Sequence, residues 1–150
     1  MLEHNESRRF ECRFTSVLIP QHTPAIMLAG MQGSALGVWV AHGEGRFVFE
    51  NEQVKRQVTG GSGCVSLQYV DDEGKPTMQY PMNPNGSEEA IAGICSEDGR
   101  HLAMMPHPER ATLSWQWPYV PENLEHSLRG VQASPWAKMF ENAYQWVLKN

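Results

Sequence analysis

One unbroken apolar run limits the folds open to this chain more than any other feature. The run covers residues 36–41 (LGVWVA) and has the length of a strand. A strand with one face in water alternates apolar and polar residues, whereas a strand covered on both faces is continuously apolar. Residues 36–41 therefore predict a buried strand of the kind found in α/β proteins.

The other patterns predict further strands, hairpins and short helices. Alternation from Phe10 to Ile19 predicts a strand that Pro20 ends. The dipeptide Asp98-Gly99 lies between two strand-like runs and is a strong hairpin signal. The remaining predicted strands cover residues 46–49, 65–69, 77–80 (a hairpin partner of 65–69), 90–95 and 101–105. One helix begins at Thr23-Pro24 and ends at Gly30, and a second covers residues 51–58.

An amphipathic helix is predicted after Ser134-Pro135. Apolar side chains at helical spacing share one face of this helix, and we expect that face to pack against the core. These side chains are Trp136, Met139, Phe140, Ala143, Tyr144 and Val147. Residues 111–130 are rich in Trp and Pro without a clean period, so a long surface loop is predicted there. The sequence thus predicts an α/β fold with β-hairpins and a C-terminal amphipathic helix.

Charge and hydropathy exclude several classes of protein. The chain has 12 Lys and Arg against 17 Asp and Glu, a net charge of −5, whereas nucleic-acid binding usually needs a basic surface. No apolar run approaches the ~18 residues of a membrane helix. Residues 1–6 are acidic, where a signal peptide is basic and then apolar. We therefore expect a soluble, cytoplasmic protein with neither a nucleic-acid nor a membrane partner.

The three cysteines predict neither a disulfide framework nor a zinc site. Cys12, Cys64 and Cys95 are far apart in the sequence, odd in number and without a CxxC pair. Each lies in an apolar or alternating stretch. Because a free cysteine behaves as a small hydrophobic residue, we expect three buried, reduced thiols.

The clearest chemistry lies around His107. Prolines flank it in the stretch Pro106-His107-Pro108-Glu109, and a residue before proline is disfavoured in the helical conformation. His107 and Glu109 should therefore leave the preceding strand on the same side, where a carboxylate can orient an imidazole. An imidazole held through one nitrogen keeps the other as a general base near pH 7. The spacing alone is also compatible with a chance ion pair in a surface loop.

Motifs in a fixed order relate the chain to a known family. They cover residues 41–46 (AHGEGR), 80–87 (YPMNPNGS), 92–95 (AGIC) and 104–110 (MMPHPER). The last motif resembles the His/Glu half of the catalytic triad of class I glutamine amidotransferases. Together the motifs resemble the glutaminase domain of the large single-chain phosphoribosylformylglycinamidine synthase family, over nearly the whole chain.

The resemblance implies a flavodoxin-like α/β glutaminase domain. In that family a cysteine attacks the glutamine amide, a histidine relays protons and a glutamate orients the histidine. Carried over by motif, His107 is the base and Glu109 the orienting acid, and His42 and Gly43 are expected to line the glutamine pocket. The released ammonia passes to synthase domains that use ATP and Mg to convert formylglycinamide ribonucleotide to the amidine in purine biosynthesis. No cofactor or metal is expected in this segment itself.

The nucleophile of that family has no counterpart in the motifs. A nucleophile elbow needs small residues on both sides of the cysteine. Cys64 is followed by Val65, and Cys95 follows Ile94, so neither fits. In the family that the motifs resemble, the nucleophile lies upstream of all of these motifs. The resemblance therefore implies that residues 1–150 are the C-terminal portion of the domain, with the nucleophile-bearing N-terminal half absent and the chain inactive alone. The expected partners are glutamine, that half and the synthase domains.

Other interpretations stay open on the sequence alone. The chain could be a non-catalytic remnant that packs against partner domains. A zinc site is a more distant alternative. Its candidate ligands are His42, His101, His107 and Cys95, and their spacing fits no known ligand set. The turn at residues 83–87 either only reverses the chain or has a role near the active site or a domain interface.

Overall fold

The computed structural model describes residues 1–60, 63–120, 122, 124–125 and 130–149. Its strands are β1 (Leu2–His4), β2 (Glu11–Leu18), β3 (Ala35–His42), β4 (Glu44–Phe47), β5 (Val65–Tyr69), β6 (Ile91–Cys95) and β7 (Leu102–Met104). The helices are α1 (Glu52–Thr59) and α2 (Ala137–Lys149), with 3₁₀ turns at Ile26–Leu28, Glu88–Ala90, Pro108–Arg110 and Ser114–Gln116. The predicted mixed α/β class with hairpins and a C-terminal helix is confirmed.

Five strands form one sheet that curls back on itself. Their order is β3-β2-β5-β6-β7, and every pairing is antiparallel. Just after β7, His107 forms an antiparallel bridge with Trp39 of β3, so the two edges of the sheet meet at this point. The hairpin predicted at Asp98-Gly99 is the β6–β7 connection. A separate small sheet pairs β1 with β4.

β3 is covered on both faces, as its apolar run predicts. Val38 and Val40 are fully buried in the core cluster. On the other face, the rings of Phe14 and Trp117 lie over Gly37. Because the pairing is antiparallel, this double cover comes from the curl of the sheet and from neighbouring loops, not from parallel strand–helix–strand units.

The helix predicted after Thr23 is only a single 3₁₀ turn, Ile26–Leu28. The Thr23 hydroxyl is directed inward, 2.9 Å from the hydroxyl of Ser66. The amide of Ile26 donates to the carbonyl of Gly99 at 3.0 Å. Tertiary hydrogen bonds thus replace those of a longer helix, which the local sequence could not indicate.

The return strand predicted at residues 77–80 is wrong. This part of the chain pairs with the end of β5 through an isolated bridge between Val70 and Pro76 and through the Thr77 amide, which donates to the carbonyl of Tyr69 at 3.0 Å. Proline has no amide hydrogen with which to extend a ladder. The chain leaves β5 after Thr77, and residues 78–80 form no strand.

The surface loop predicted for residues 111–130 is partly wrong, because its first half is packed. Trp117 is buried and its Nε1 donates to the carbonyl of buried Ala111 at 2.8 Å. Trp115 is 77 % exposed. Residues 121, 123 and 126–129 of the predicted loop lie outside the described residues.

The apolar stripe of the C-terminal helix is only partly packed. Trp136 and Met139 are buried, and Asn142 donates to the carbonyls of Met27 and Ala29. The exposed members of the stripe are Phe140, Tyr144 and Val147. The prediction of core packing is therefore wrong for these three side chains. Near the end of α2, the ring of Trp146 lies 5.2 Å from the guanidinium group of Arg100. No helix in the described part of the chain is long and apolar enough to cross a membrane.

The three cysteines differ in exposure. All are free thiols; Cys95 is buried, Cys64 is half-buried and Cys12 is exposed. The prediction of three buried thiols is confirmed only for Cys95. Cys64 is covered in part, and Cys12 is exposed because the face of β2 that carries it is open at that end of the strand.

Gly99 in the β6–β7 turn is expected to tolerate substitution poorly. Its φ is +69°, and a Cβ atom there would overlap the Pro24 carbonyl. Gly74 has a similar φ of +75° but open space around it, which makes Gly74→Ala a matched control. The left-handed conformation alone costs about 1–2 kcal/mol, and the overlap should add a further ~1–3 kcal/mol for Gly99→Ala. Urea unfolding of both variants measures the difference, and equal losses would contradict the overlap.

Candidate active site

His107 lies where the edges of the curled sheet meet. Its amide donates to the carbonyl of Trp39 at 2.7 Å. Its backbone lies outside the helical region, with φ −108° and ψ 80°, as predicted for a residue before Pro108. The chain reaches His107 directly from β7 and then enters the 3₁₀ turn Pro108–Arg110. A backbone hydrogen bond to a buried strand therefore fixes the position of His107.

His107 and Glu109 come together as their spacing suggests. Nδ1 of His107 lies 2.8 Å from Oε1 of Glu109. Because an ionised carboxylate only accepts, Nδ1 carries the hydrogen and Nε2 of the neutral ring is left as a base. The His107 side chain is 30 % exposed, so the ring is accessible to a reacting group. The arrangement can perform general acid–base chemistry.

Arg110 places a cation beside the same carboxylate. Its Nε atom lies 3.6 Å from Oε1 of Glu109, and both side chains are about half exposed. Such an ion pair is weakened by water. The orientation of His107 therefore depends mainly on its own shorter bond to Glu109.

An aromatic cluster supports the strand residue that binds His107. The ring of Phe14 lies edge-to-face between Trp39, at 5.2 Å, and Trp117, at 5.6 Å. Nε1 of Trp39 donates to the carbonyl of Gln116 at 3.0 Å. These contacts restrict β3 at the residue whose carbonyl receives the His107 amide.

His42 lies inside the protein near this pair. Its side chain is 5 % exposed, with Nδ1 3.2 Å from Oδ1 of Asn5. Burial is the main cause that lowers the pKa of His42, and the nearby charge of His107 lowers it further. The ring is therefore neutral at pH 7. Gly43 follows in the turn, where its carbonyl accepts from the Asn5 amide at 2.9 Å.

The Asn-Pro-Asn-Gly-Ser turn packs against the chain that follows His42. Asn85 donates from Nδ2 to the carbonyl of Gly45 at 2.9 Å, and Ser87 Oγ accepts from the amide of Phe47 at 3.0 Å. Its buried polar side chains are Asn83, Asn85 and Ser87. The turn therefore does more than reverse the chain.

Asn5 was missed by sequence reasoning, because nothing in the N-terminal segment marks it.

The contacts described for the three cysteines are with other parts of the chain than His107. Cys12 lies opposite Ala41 across β2 and β3, and Cys95 is buried in the core. The Cys95 amide donates to the carbonyl of Cys64 at 2.8 Å. None of the contacts described for these residues joins a thiol to His107.

The zinc alternative gains no support from the geometry. In residues 1–60, 63–120, 122, 124–125 and 130–149, no three His, Cys, Asp or Glu side chains form a group that could hold a metal ion. The candidate ligands His42, His101, His107 and Cys95 do not form such a group.

The fold and the His–Glu pair point to a glutamine amidotransferase, and comparison with known proteins agrees. A family model described as a CobB/CobQ-like glutamine amidotransferase domain matches residues 1–147. The chain belongs to this family. It is also similar in structure to a chain in the structure of PurLQS from Thermotoga maritima, with a TM-score of 0.63 and 26 % identity. That match covers 97 % of this chain and 52 % of the other.

The similar proteins in sequence comparisons share the name of one enzyme, phosphoribosylformylglycinamidine synthase. The chain is 55 % identical over 149 residues to a phosphoribosylformylglycinamidine synthase of Drosophila melanogaster, covering 99 % of this chain and 11 % of the relative. It is 48 % identical to the Homo sapiens enzyme of that name, covering 99 % and 11 %. A probable chloroplastic or mitochondrial synthase of Arabidopsis thaliana is 56 % identical, covering 96 % and 10 %. The resemblance to this synthase family is confirmed, although the chain spans only about a tenth of these relatives.

Proposed function

We propose that residues 1–150 are the C-terminal portion of the glutaminase domain of a phosphoribosylformylglycinamidine synthase. The observation that carries the proposal is the 2.8 Å bond between His107 and Glu109, beside the accessible ring of the histidine. The chain matches 52 % of the Thermotoga maritima chain. The rest of that chain has no counterpart in residues 1–150, and we infer that a segment of this kind carries the cysteine nucleophile of the proposed enzyme.

In the proposed reaction, His107 moves the protons and Glu109 holds its ring. A cysteine thiol of the other half gives its proton to Nε2 of His107, and the thiolate attacks the carboxamide carbon of glutamine. His107 returns the proton to the departing nitrogen as the C–N bond breaks, which releases ammonia and leaves a thioester. Water then gives a proton to Nε2 and adds to the thioester carbon. The C–S bond breaks, glutamate leaves and the sulfur regains its proton.

We assign His42 and Gly43 to the substrate side of this site. His42 is close enough to His107 for their charges to interact. Asn5 binds both residues, through the His42 ring and through the carbonyl of Gly43. A turn held at several points can present backbone and side-chain groups to glutamine in a fixed geometry.

The ammonia would be used in the rest of the enzyme. By analogy with the named relatives, synthase domains that bind ATP and Mg would convert formylglycinamide ribonucleotide to the amidine. The partners of this chain are then glutamine, the other half of its domain and those synthase domains. We propose a cytoplasmic location, while the name of the Arabidopsis thaliana relative places that protein in chloroplasts or mitochondria.

The source of nitrogen distinguishes a glutaminase segment from a non-catalytic one. In a full-length synthase that contains this sequence, we expect His107→Ala to lower the rate of amidine formation from glutamine to below about a hundredth of the wild-type rate. Formation from ammonium chloride should stay normal. Glu141→Gln is the control, because it removes only an exposed ion pair with Lys138 on α2. Unchanged use of glutamine in His107→Ala would favour a non-catalytic remnant, and loss of both activities would indicate a structural role.

A further inference from the structure

Asn5 is a buried polar residue whose side chain makes several hydrogen bonds. Its side chain is 1 % exposed. Nδ2 donates to the carbonyl of Arg9 at 2.8 Å and to the carbonyl of His42 at 2.7 Å. Both amide hydrogens are thereby used, and the two acceptors fix which end of the side-chain amide is nitrogen.

This arrangement determines the tautomer of His42. The remaining oxygen of Asn5, Oδ1, can only accept, and it lies 3.2 Å from Nδ1 of His42. Nδ1 must therefore carry the hydrogen of the neutral ring. Nε2 is then an unprotonated acceptor that is buried and has no hydrogen-bond partner within the described residues.

The charged groups around the ring do not replace Asn5 in this role. Glu11 lies opposite His42 across β2 and β3, but its carboxylate accepts from Ser7 and pairs with Arg13. His107 acts on His42 through charge repulsion, which favours the neutral ring. The ring also interacts with its own backbone carbonyl. Within the described residues, the side-chain hydrogen bond to a ring nitrogen of His42 comes from Asn5.

We propose that Asn5 is a positioning residue, which holds His42 as the Nδ1–H tautomer and keeps its Nε2 as an acceptor for an N–H donor of glutamine. The same residue fixes the backbone beside the ring through the carbonyls of His42 and Gly43. The glutamine part of this inference rests on the proposed function. The tautomer part depends only on the contacts of Asn5.

Nitrogen NMR of the ring in the 150-residue chain tests the tautomer without glutamine. We expect the ¹⁵N signals of His42 at pH 7 to show a protonated Nδ1 and an unprotonated Nε2. In Asn5→Ser this preference should disappear. Asn85→Ser is the control, because it removes buried side-chain hydrogen bonds to Gly45 of β4 and to Ser87 without touching the ring of His42. A wild-type ring protonated on Nε2, or an unchanged tautomer in Asn5→Ser, would overturn the proposal.

Asn5→Asp tests the contact with little change in shape. The substitution keeps an oxygen beside Nδ1 and places a negative charge there, which raises the pKa of His42. The imidazolium signal should therefore appear at higher pH than in the wild type. Because Glu11 and His107 are unchanged, a titration identical to the wild type would overturn the proposed contact, even if Asn5→Ser does not fold.

Kinetics of a full-length synthase that contains this sequence separate this inference from the proposed function. We expect Asn5→Ser to raise KM for glutamine about tenfold, with a smaller change in kcat and normal use of ammonium chloride. If His107→Ala abolishes use of glutamine while Asn5→Ser leaves KM and kcat unchanged, the role of Asn5 is refuted and the proposed function stands.

Discussion

Replacing His107 with alanine is expected to lower glutamine hydrolysis in a complete synthase roughly 10⁴- to 10⁶-fold, the loss seen when the base of a catalytic triad is removed. Glu109→Ala should cost roughly 10- to 100-fold less, because an orienting acid generally contributes less than the base it holds. The 2.8 Å bond from Nδ1 to Glu109 leaves Nε2 for proton transfer. His107 would therefore carry the proton, and Glu109 would fix only the ring.

Glutamate release at saturating glutamine measures this ranking in both variants. Glu141→Gln on α2 is again the control, since Glu141 contacts only Lys138 among the ion pairs described for it. Equal kcat losses in His107→Ala and Glu109→Ala would contradict the assigned roles. A loss confined to KM would instead make His107 a binding residue.

The 150-residue chain by itself is expected to release no glutamate from glutamine. Attack on an amide needs a thiolate beside the base and donors for the developing oxyanion, and these groups act as a unit. Cys95 lies in the core and Cys12 on β2, and neither is described in contact with His107.

Three single substitutions test this expectation: Cys12→Ser, Cys64→Ser and Cys95→Ser. Activity that is present in the chain and lost in one of them would show that the nucleophile lies within these residues. The purified chain must first show cooperative unfolding, so that inactivity is not a consequence of an unfolded sample.

Features that depend on local chemistry could be predicted from the sequence. The His107–Glu109 pair involves neighbouring residues, and the prolines beside His107 restrict its backbone. The β6–β7 hairpin follows from Asp98-Gly99, whose geometry is also local. The strand at residues 36–41 could be placed because a doubly covered strand needs an unbroken apolar run.

Features that depend on distant contacts could not be predicted. The Asn5 side chain binds His42, which is 37 positions away, and no local pattern distinguishes it from a surface asparagine. The exposed end of α2 has the same periodicity as a buried helix, because periodicity shows which face is apolar but not whether another element covers it. The closure of the sheet at His107 and Trp39 likewise depends on its overall curl.

We propose that this chain contains the base and the orienting acid of a glutaminase whose nucleophile lies on another segment. Mixing the 150-residue chain with the glutaminase segment that carries the cysteine elbow in a relative, and measuring glutamate release, tests this proposal. We expect neither piece to be active alone and the mixture to release glutamate, with the activity lost in His107→Ala. A chain that is active alone, or a stable complex of the two pieces that stays inactive, would contradict the claim.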